Sequence, residues 1–533
     1  MTRFLLLGGA ALALVAPAEA QRKRAVVQPY IEVSQTLDAD LKGGDAVTYT
    51  SLAAGVDASV ESARTSAQLS YRYERRIGSY DGLPDEDVHS GLARVEARVA
   101  PGLSIEGGGI ATRSRADIRG EAPGVFGADG DNVAQVYSVY AGPTLAKQVG
   151  TLNVSALYRI GYTKVETPDA IGLVAGQPRQ DYFDDSVGQM ASGSIGVAPR
   201  TVAPFGVSAS GGWSQERAGQ LSQHLDQWYV RGDVLFPISP TVALAGGVGH
   251  EKLETSQRDP LFAAPGVPAV DANGRFVTDP ASPRRVTYRT DGVYYDAGVV
   301  WRPNRRTSVS AYAGKRYGTE SYTGSITYSG PRGVAMGVQV YDQVTTFGRQ
   351  LRQGVANLPT SFIATRDQFA QAFNGCTFAA GGASPGGCLD SVFQSVTSAS
   401  YRARGVDAVV SATRGRTTYG AGAGYASRKL FQPNRAPGVT IYGLEDRSWY
   451  GDLFVQRQLS PVSGVTAQAF VTYYDPALAG SAEILSTGAT ATYYRDFGRL
   501  GTTASIGLYS YRVGDGIETA LRGQALIGAR YTF

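Results

Sequence analysis

The chain has 533 residues, 43% hydrophobic and 18% charged, with 50 Lys and Arg against 46 Asp and Glu for a formal charge of +4. So small an excess gives a nucleic-acid partner no support, and a mean hydropathy of −0.15 with no long apolar run after residue 20 excludes a helical membrane protein. Hydropathy alone describes a secreted soluble protein, yet 67 Gly and 31 Tyr against 3 Met, 3 His and 2 Cys describe strands with aromatic ends.

The N-terminus carries Arg3, an apolar run from Phe4 to Val15, and the small residues of Ala18-Glu19-Ala20. This pattern is expected of a secretory signal peptide over residues 1–20, with Gln21 the first mature residue. The run is short for a membrane anchor, which needs ~20 residues.

From there the dominant signal is period-two alternation. Ala67, Leu69, Tyr71 and Tyr73 alternate with Gln68, Ser70 and Arg72. Leu152 to Tyr162, Phe205 to Trp213 and Val293 to Trp301 repeat the pattern, with no charge on the apolar parity. Soluble sandwich strands also alternate, but they are typically ~5–6 residues long, whereas spanning strands need ~9–11. The long runs, with Gly, Ser, Thr and Gln on the other face, fit a wet lumen. The fold class expected is all-β: a transmembrane antiparallel up-and-down barrel of about 22 strands (20–24) over residues 21–533. Strands are expected to begin near residues 26, 46, 65, 88, 103, 133, 151, 186, 204, 225, 241, 291, 306, 320, 333, 400, 416, 447, 463, 483, 500 and 519.

The connections alternate in kind. Tight ones such as Pro101-Gly102, Ser239-Pro240, Arg414-Gly415-Arg416 and Gly498-Arg499 interleave with long ones such as 119–132, 166–185, 256–290 and 348–399. Short periplasmic turns and long extracellular loops are the habit of outer-membrane barrels, so both termini are expected in the periplasm of a Gram-negative envelope. Trp213, Trp228, Trp301 and Trp449 fall near strand ends on the apolar parity, where an aromatic girdle belongs.

Loop 348–399 is too long for a structureless connection. Leu389, Val392, Phe393 and Val396 have helical spacing, and Phe362, Ile363, Phe369 and Phe373 form a weaker helical set. Cys376 and Cys388, the only cysteines, lie between them, and export favours a disulfide. The expectation is a clipped helical hairpin over or in the barrel mouth; the alternative is two free thiols in a surface loop. At the C-terminus, Leu521, Ala525, Ile527, Ala529, Tyr531 and Phe533 share a face. A last strand ending in Tyr531 and Phe533 resembles the assembly signal of outer-membrane proteins, which implies the barrel-assembly machinery as a partner beside outer-membrane lipid.

Two further stretches carry a narrower resemblance. Thr307–Tyr317 with Ala313-Gly314-Lys315-Arg316-Tyr317, followed by Gly324-Ser325-Ile326-Thr327-Tyr328-Ser329-Gly330-Pro331, resembles the type-2 β-barrel porin family, as does Pro29-Tyr30-Ile31-Glu32-Val33-Ser34. That family includes outer-membrane proteins linked to exopolysaccharide systems, and the resemblance implies a barrel and a pore with no catalytic residues. TonB-dependent transporters also have 22 strands, but around a plug. Strand one is expected directly after Gln21-Arg22-Lys23-Arg24, so no plug domain is expected there, and the lumen stays aqueous unless loops narrow it.

On the polar parity, Arg72, Arg94, Arg98, Arg159, Arg231, Arg302, Arg316, Arg522 and Arg530 face Glu32, Glu74, Glu96, Asp233, Asp296 and Asp452. They are expected as a cross-strand lattice, or, through the arginine excess, as an anion preference. His89, His224 and His250 are the only histidines, and Gly382-Ala383-Ser384-Pro385-Gly386 matches G-x-S-x-G without a strand–turn–helix context. No catalytic site, cofactor or metal is therefore expected. The function expected is a porin-like channel for passive diffusion of small polar solutes or saccharides. The alternatives are a structural or polysaccharide-export-associated barrel with an occluded lumen and, less so, a rim-site hydrolase.

Overall fold

The computed structural model describes all residues except 1–23, 79–84, 117–131, 168–181, 265–266, 274, 364, 374, 380–384, 395, 432–444, 477–481 and 515–519. The expected signal peptide lies outside the described residues.

Alternation drives one repeated element, the long antiparallel strand. In chain order come β1 (Arg24–Asp40), β2 (Ala46–Glu61), β3 (Thr65–Gly78), β4 (Glu86–Ala100), β5 (Leu103–Arg115), β6 (Val133–Val149), β7 (Leu152–Glu166), β8 (Asp185–Val197) and β9 (Gly206–Ala218). There follow β10 (His224–Pro237), β11 (Val242–Gln257), the short β12 (Phe262–Ala264) and β13 (Val267–Pro268), β14 (Arg285–Asn304), β15 (Thr307–Arg316), β16 (Thr319–Ser329) and β17 (Val334–Thr345). Helix α1 (Phe347–Asn357) and the short β18 (Phe362–Ile363), β19 (Cys376–Ala379) and β20 (Gly387–Cys388) come next. The chain ends with β21 (Tyr401–Arg414), β22 (Thr417–Leu430), β23 (Glu445–Ser460), β24 (Ser463–Asp475), β25 (Ile484–Phe497), β26 (Leu500–Val513) and β27 (Ala520–Thr532).

Leaving out the five short strands, each element pairs with its neighbours in the chain, and β1 also pairs with β27. The result is a closed ring of 22 antiparallel strands. Closure matters because an open strand edge in hydrocarbon leaves N–H and C=O groups unsatisfied, at several kcal/mol each. The expected starts match closely. The exception is β14, which begins at Arg285 rather than near 291, above an irregularity at Thr255/Ser256 of β11.

The tight hairpins close as their glycines permit. Gly415 and Gly498 sit at φ +61° and +70°, as two-residue hairpin loops of the primed types require. By the short-turn rule these mark the periplasmic end. The outward parity carries the apolar load, with Val293, Leu453 and Ile527 among the most exposed hydrophobics. All four tryptophans are partly exposed on that same parity, Trp213 directly opposite Trp228. The packed core therefore lies inside the ring.

Candidate functional site

The lumen is filled by the chain between β17 and β21. Thr346 caps α1, its hydroxyl accepting from Arg349 N at 3.2 Å and donating to Glu216 Oε1 of β9 at 2.8 Å. One face of the helix, Phe347, Leu351 and Val355, is buried against lumen-facing Leu92, Ile110, Val136 and Tyr140 of β4, β5 and β6. On the same side Arg352 donates to Thr163 Oγ1 and Ser186 Oγ at 3.1 Å and pairs with Glu216 at 2.7 Å. Gly161 and Gly188 make room for it: a Cβ at Gly188 would stand 2.1 Å from an Arg352 guanidinium nitrogen. Arg94 reaches from β4 to the helix C-terminus, donating to Leu358 O at 3.0 Å and Ala356 O at 2.9 Å. It satisfies carbonyls that the helix leaves open and sits where the helix dipole favours a cation.

The segment then runs down and across the barrel. Thr360 meets Ser66 at 3.0 Å, close to the periplasmic end of β3, and Gln68 exchanges two hydrogen bonds with the Phe362 backbone. Phe373 N donates to Thr112 on β5, Arg76 donates to Phe369 O, and Tyr509 of β26 donates to Asp367 at 2.8 Å. The inserted chain thus touches wall strands around much of the ring. β18, β19 and β20 form a small sheet in which Cys376 lies opposite Cys388, and a disulfide joins them. The sheet presses on β22 and β23: Phe378 stacks on Phe454 at 5.7 Å, and a Cβ at Gly422 would stand 2.1 Å from Cys376 Sγ. The expected helical hairpin is corrected here. Leu389 to Gln394 makes only a turn, Phe362-Ile363 is strand, and the α-helix among the described residues is α1, outside both expected sets.

Beside the disulfide two carboxyls meet. Asp390 Oδ2 and Asp452 Oδ2 lie 3.6 and 3.4 Å from Cys376 Sγ, and the two groups hydrogen-bond to each other. Burial holds the Asp390 carboxyl well above the usual range, and the nearby Asp452 and Asp407 charges push the same way. Burial also raises Asp367, against hydrogen bonds from Ala370 N, Tyr509 Oη and Phe369 N. Below the insertion, toward the periplasm, lies a cavity of about 660 Å³ lined by β1, β2 and β23–β27 and roofed by Thr365, Arg366 and Gln368. Its walls are mainly hydroxyls and amides, among them Gln468, Thr490 and Thr492.

Of the lumen charges singled out in the sequence, most are held in pairs. Arg72 lies between Glu32 and Glu74, both at 2.9 Å, Arg159 meets Glu106 at 2.6 Å, and Arg316 meets Glu251 at 2.7 Å. Arg231 holds Asp233 and Asp296, both at 2.6 Å. Arg522 faces Asp38, and Arg530 pairs with Asp57. Arg94 serves the insertion, while Glu96, Arg98 and Arg302 are exposed at the periplasmic end. The histidines are dispersed: His89 bonds Tyr71, His250 bonds Asp291 on the outer face, and His224 opposes Ser256. Ser384 lies outside the described residues. Sequence reasoning missed Glu216, Thr163, Ser186 and Arg352. The available signal was the apolar residues on the lumen parity, Leu92, Ile110, Val136 and Val165, which an empty water-filled barrel has no use for.

No family model matches the chain, and no curated protein matches it by sequence, so the resemblance to type-2 porins and its exopolysaccharide link gain no support. Solved structures match in fold. The FrpB iron transporter from Neisseria meningitidis is 10% identical at a TM-score of 0.43, covering 95% of this chain and 82% of that one. The ferric-catecholate import receptor Fiu from E. coli K12 is 11% identical at 0.44, covering 95% and 81%. The siderophore receptor PiuA from Acinetobacter baumannii is 9% identical at 0.41, covering 94% and 82%. The chain is an outer-membrane β-barrel of a Gram-negative bacterium. The expectation of a passive diffusion porin is overturned, because the lumen holds a packed insertion. The alternative of an export-associated barrel gains no support from these comparisons either.

Proposed function

We propose that this chain is a receptor-type uptake transporter of the outer membrane, in which a bound solute crosses only when the segment 346–400 is displaced by work supplied from outside the barrel. The observation that carries the proposal is the depth and apolar packing of that segment. A fully buried apolar side chain contributes about 1.5–3 kcal/mol, so Phe347, Leu351, Val355, Phe362 and Leu389 together represent roughly 10 kcal/mol. Thermal fluctuation would open such a lumen too seldom for diffusion to be its task. A ring of 22 strands around a filled lumen is also the geometry of plugged transporters rather than of porins, which use 16–18. The cargo to try first is a ferric siderophore, the class named for the structural neighbours.

The test is uptake of labelled ferric catecholates by cells whose own receptors are deleted and which express this chain. Uptake that stops when a protonophore collapses the energised inner membrane is the expected result. Solute entry that continues unchanged under the protonophore would refute the proposal.

A further inference from the structure

The outer surface of β21–β26 carries a feature that uptake does not use. On the lipid-facing parity, ladder register places Leu453 and Val455 of β23 beside Ala469 and Ala467 of β24. These lie beside Ala489 and Ala491 of β25, and then Leu508 and Ile506 of β26. Two alanine-floored strands between two branched ridges form an apolar trough of about 470 Å³ open to the bilayer. At its periplasmic mouth the next row reads Arg414, Thr417, Arg457, Val465 and Tyr493, each opposite the last. Arg495, opposite Ser463, follows one row further out. Arg414 and Arg457 flank Thr417 and so stand about 10 Å apart, two strand spacings.

All three arginines are exposed, and none has an ion-pair partner among the described residues. No carboxylate shares their face in the periplasmic half of β21–β26, because Asp452 and Asp496 lie on the lumen parity. The periplasmic end is cationic elsewhere too, with Arg64, Lys147, Arg200, Arg305 and Arg306 exposed. Here cations without an ion-pair partner adjoin a trough shaped for hydrocarbon.

The geometry points to a binding site for one anionic glycerophospholipid of the inner leaflet, its acyl chain in the alanine trough and its phosphate between Arg457, Arg414 and Arg495. Cations near a membrane surface attract anionic lipid by about 1 kcal/mol each. The trough supplies contact that a bare cation ring lacks. An acidic periplasmic protein is the competing occupant. It would use the cations but not the trough, which lies within the hydrocarbon.

Native mass spectrometry of the folded full chain tests this, with equal phosphatidylglycerol and phosphatidylcholine of identical acyl chains as probes. Wild type should retain phosphatidylglycerol at least fivefold over phosphatidylcholine, since RT ln 5 is the roughly 1 kcal/mol that even one of these cations supplies. The triple variant Arg414→Gln, Arg457→Gln, Arg495→Gln should lose the preference. Ala467→Leu with Ala491→Leu should lower retention of both lipids by filling the trough. Lys147→Gln, far around the ring, should match wild type, and heat-modifiable migration on gels checks that every variant is folded. Equal retention of the two lipids by wild type would overturn the site. So would a preference that survives the triple variant, or trough filling without effect.

Discussion

Replacing Arg352 by Met tests the central claim that the insertion is fastened to the wall by specific polar bonds. Arg352 and Glu216 are both buried, with side-chain exposures of 10% and 3% and a separation of 2.7 Å. Removing one partner of such a pair leaves a buried charge without compensation, at about 3–5 kcal/mol. At about 1.4 kcal/mol per factor of ten, the undocked population of α1 should rise roughly a hundred- to a few-thousand-fold. Hydrogen exchange of the amides of Phe347–Asn357 reports that population directly, and planar-bilayer recordings should show brief openings that wild type lacks. Glu216→Gln in the same chain should restore part of the protection, because the stranded carboxylate is gone. Unchanged exchange in the single variant would refute the fastening, whatever the conductance.

Other consequences follow from the same packing. Gly422→Ala places a methyl where Cys376 Sγ sits and should loosen the small sheet by about 1–3 kcal/mol, read as faster exchange in Cys376–Ala379 with the barrel strands unaffected. Reducing the Cys376–Cys388 disulfide, with its sequence separation of 12, should weaken the docked insertion by about 2–3 kcal/mol, and intact mass before and after alkylation verifies the bond. Asp390 is raised in the docked state, so docking is strongest below the ordinary carboxylate pKa and weakens as pH rises through the raised value. Asp390→Asn should flatten that slope, leaving the share that the raised Asp367 contributes, and increase protection at neutral pH; an unchanged pH profile would refute the assignment. Phe533, whose ring meets Tyr531 at 5.2 Å, should be needed for assembly, and Phe533→Ala is expected to lower the heat-modifiable fraction in outer membranes severalfold.

The barrel was legible because membrane strands obey a simple rule at every other residue. Each expected start but one falls within two residues of the observed one, and even β14 errs only where β11 is irregular. The insertion was not legible because its packing obeys no period. Leu389, Val392, Phe393 and Val396 are all buried, yet their spacing reflects a single turn docked against several strands. α1 was overlooked for a related reason: Phe347, Leu351 and Val355 share a face, but the buried Gln350 and Arg352 beside them, held by polar lumen groups, interrupt the apolar stripe. What the lumen arginines hold was unreadable, since Arg94 and Arg352 find partners more than a hundred residues away.

The pairing of β1 with β27 joins the two ends of the ring. Along that seam Glu32 stands opposite Arg530, Asp38 opposite Gln524 and Asp40 opposite Arg522. Acids on one border and bases or amides on the other give the two ends a matching key, since a slip of one residue would turn these groups outward to the bilayer. A chain truncated before Ala520 lacks its half of the lock, so the cylinder cannot seal until β27 has been made.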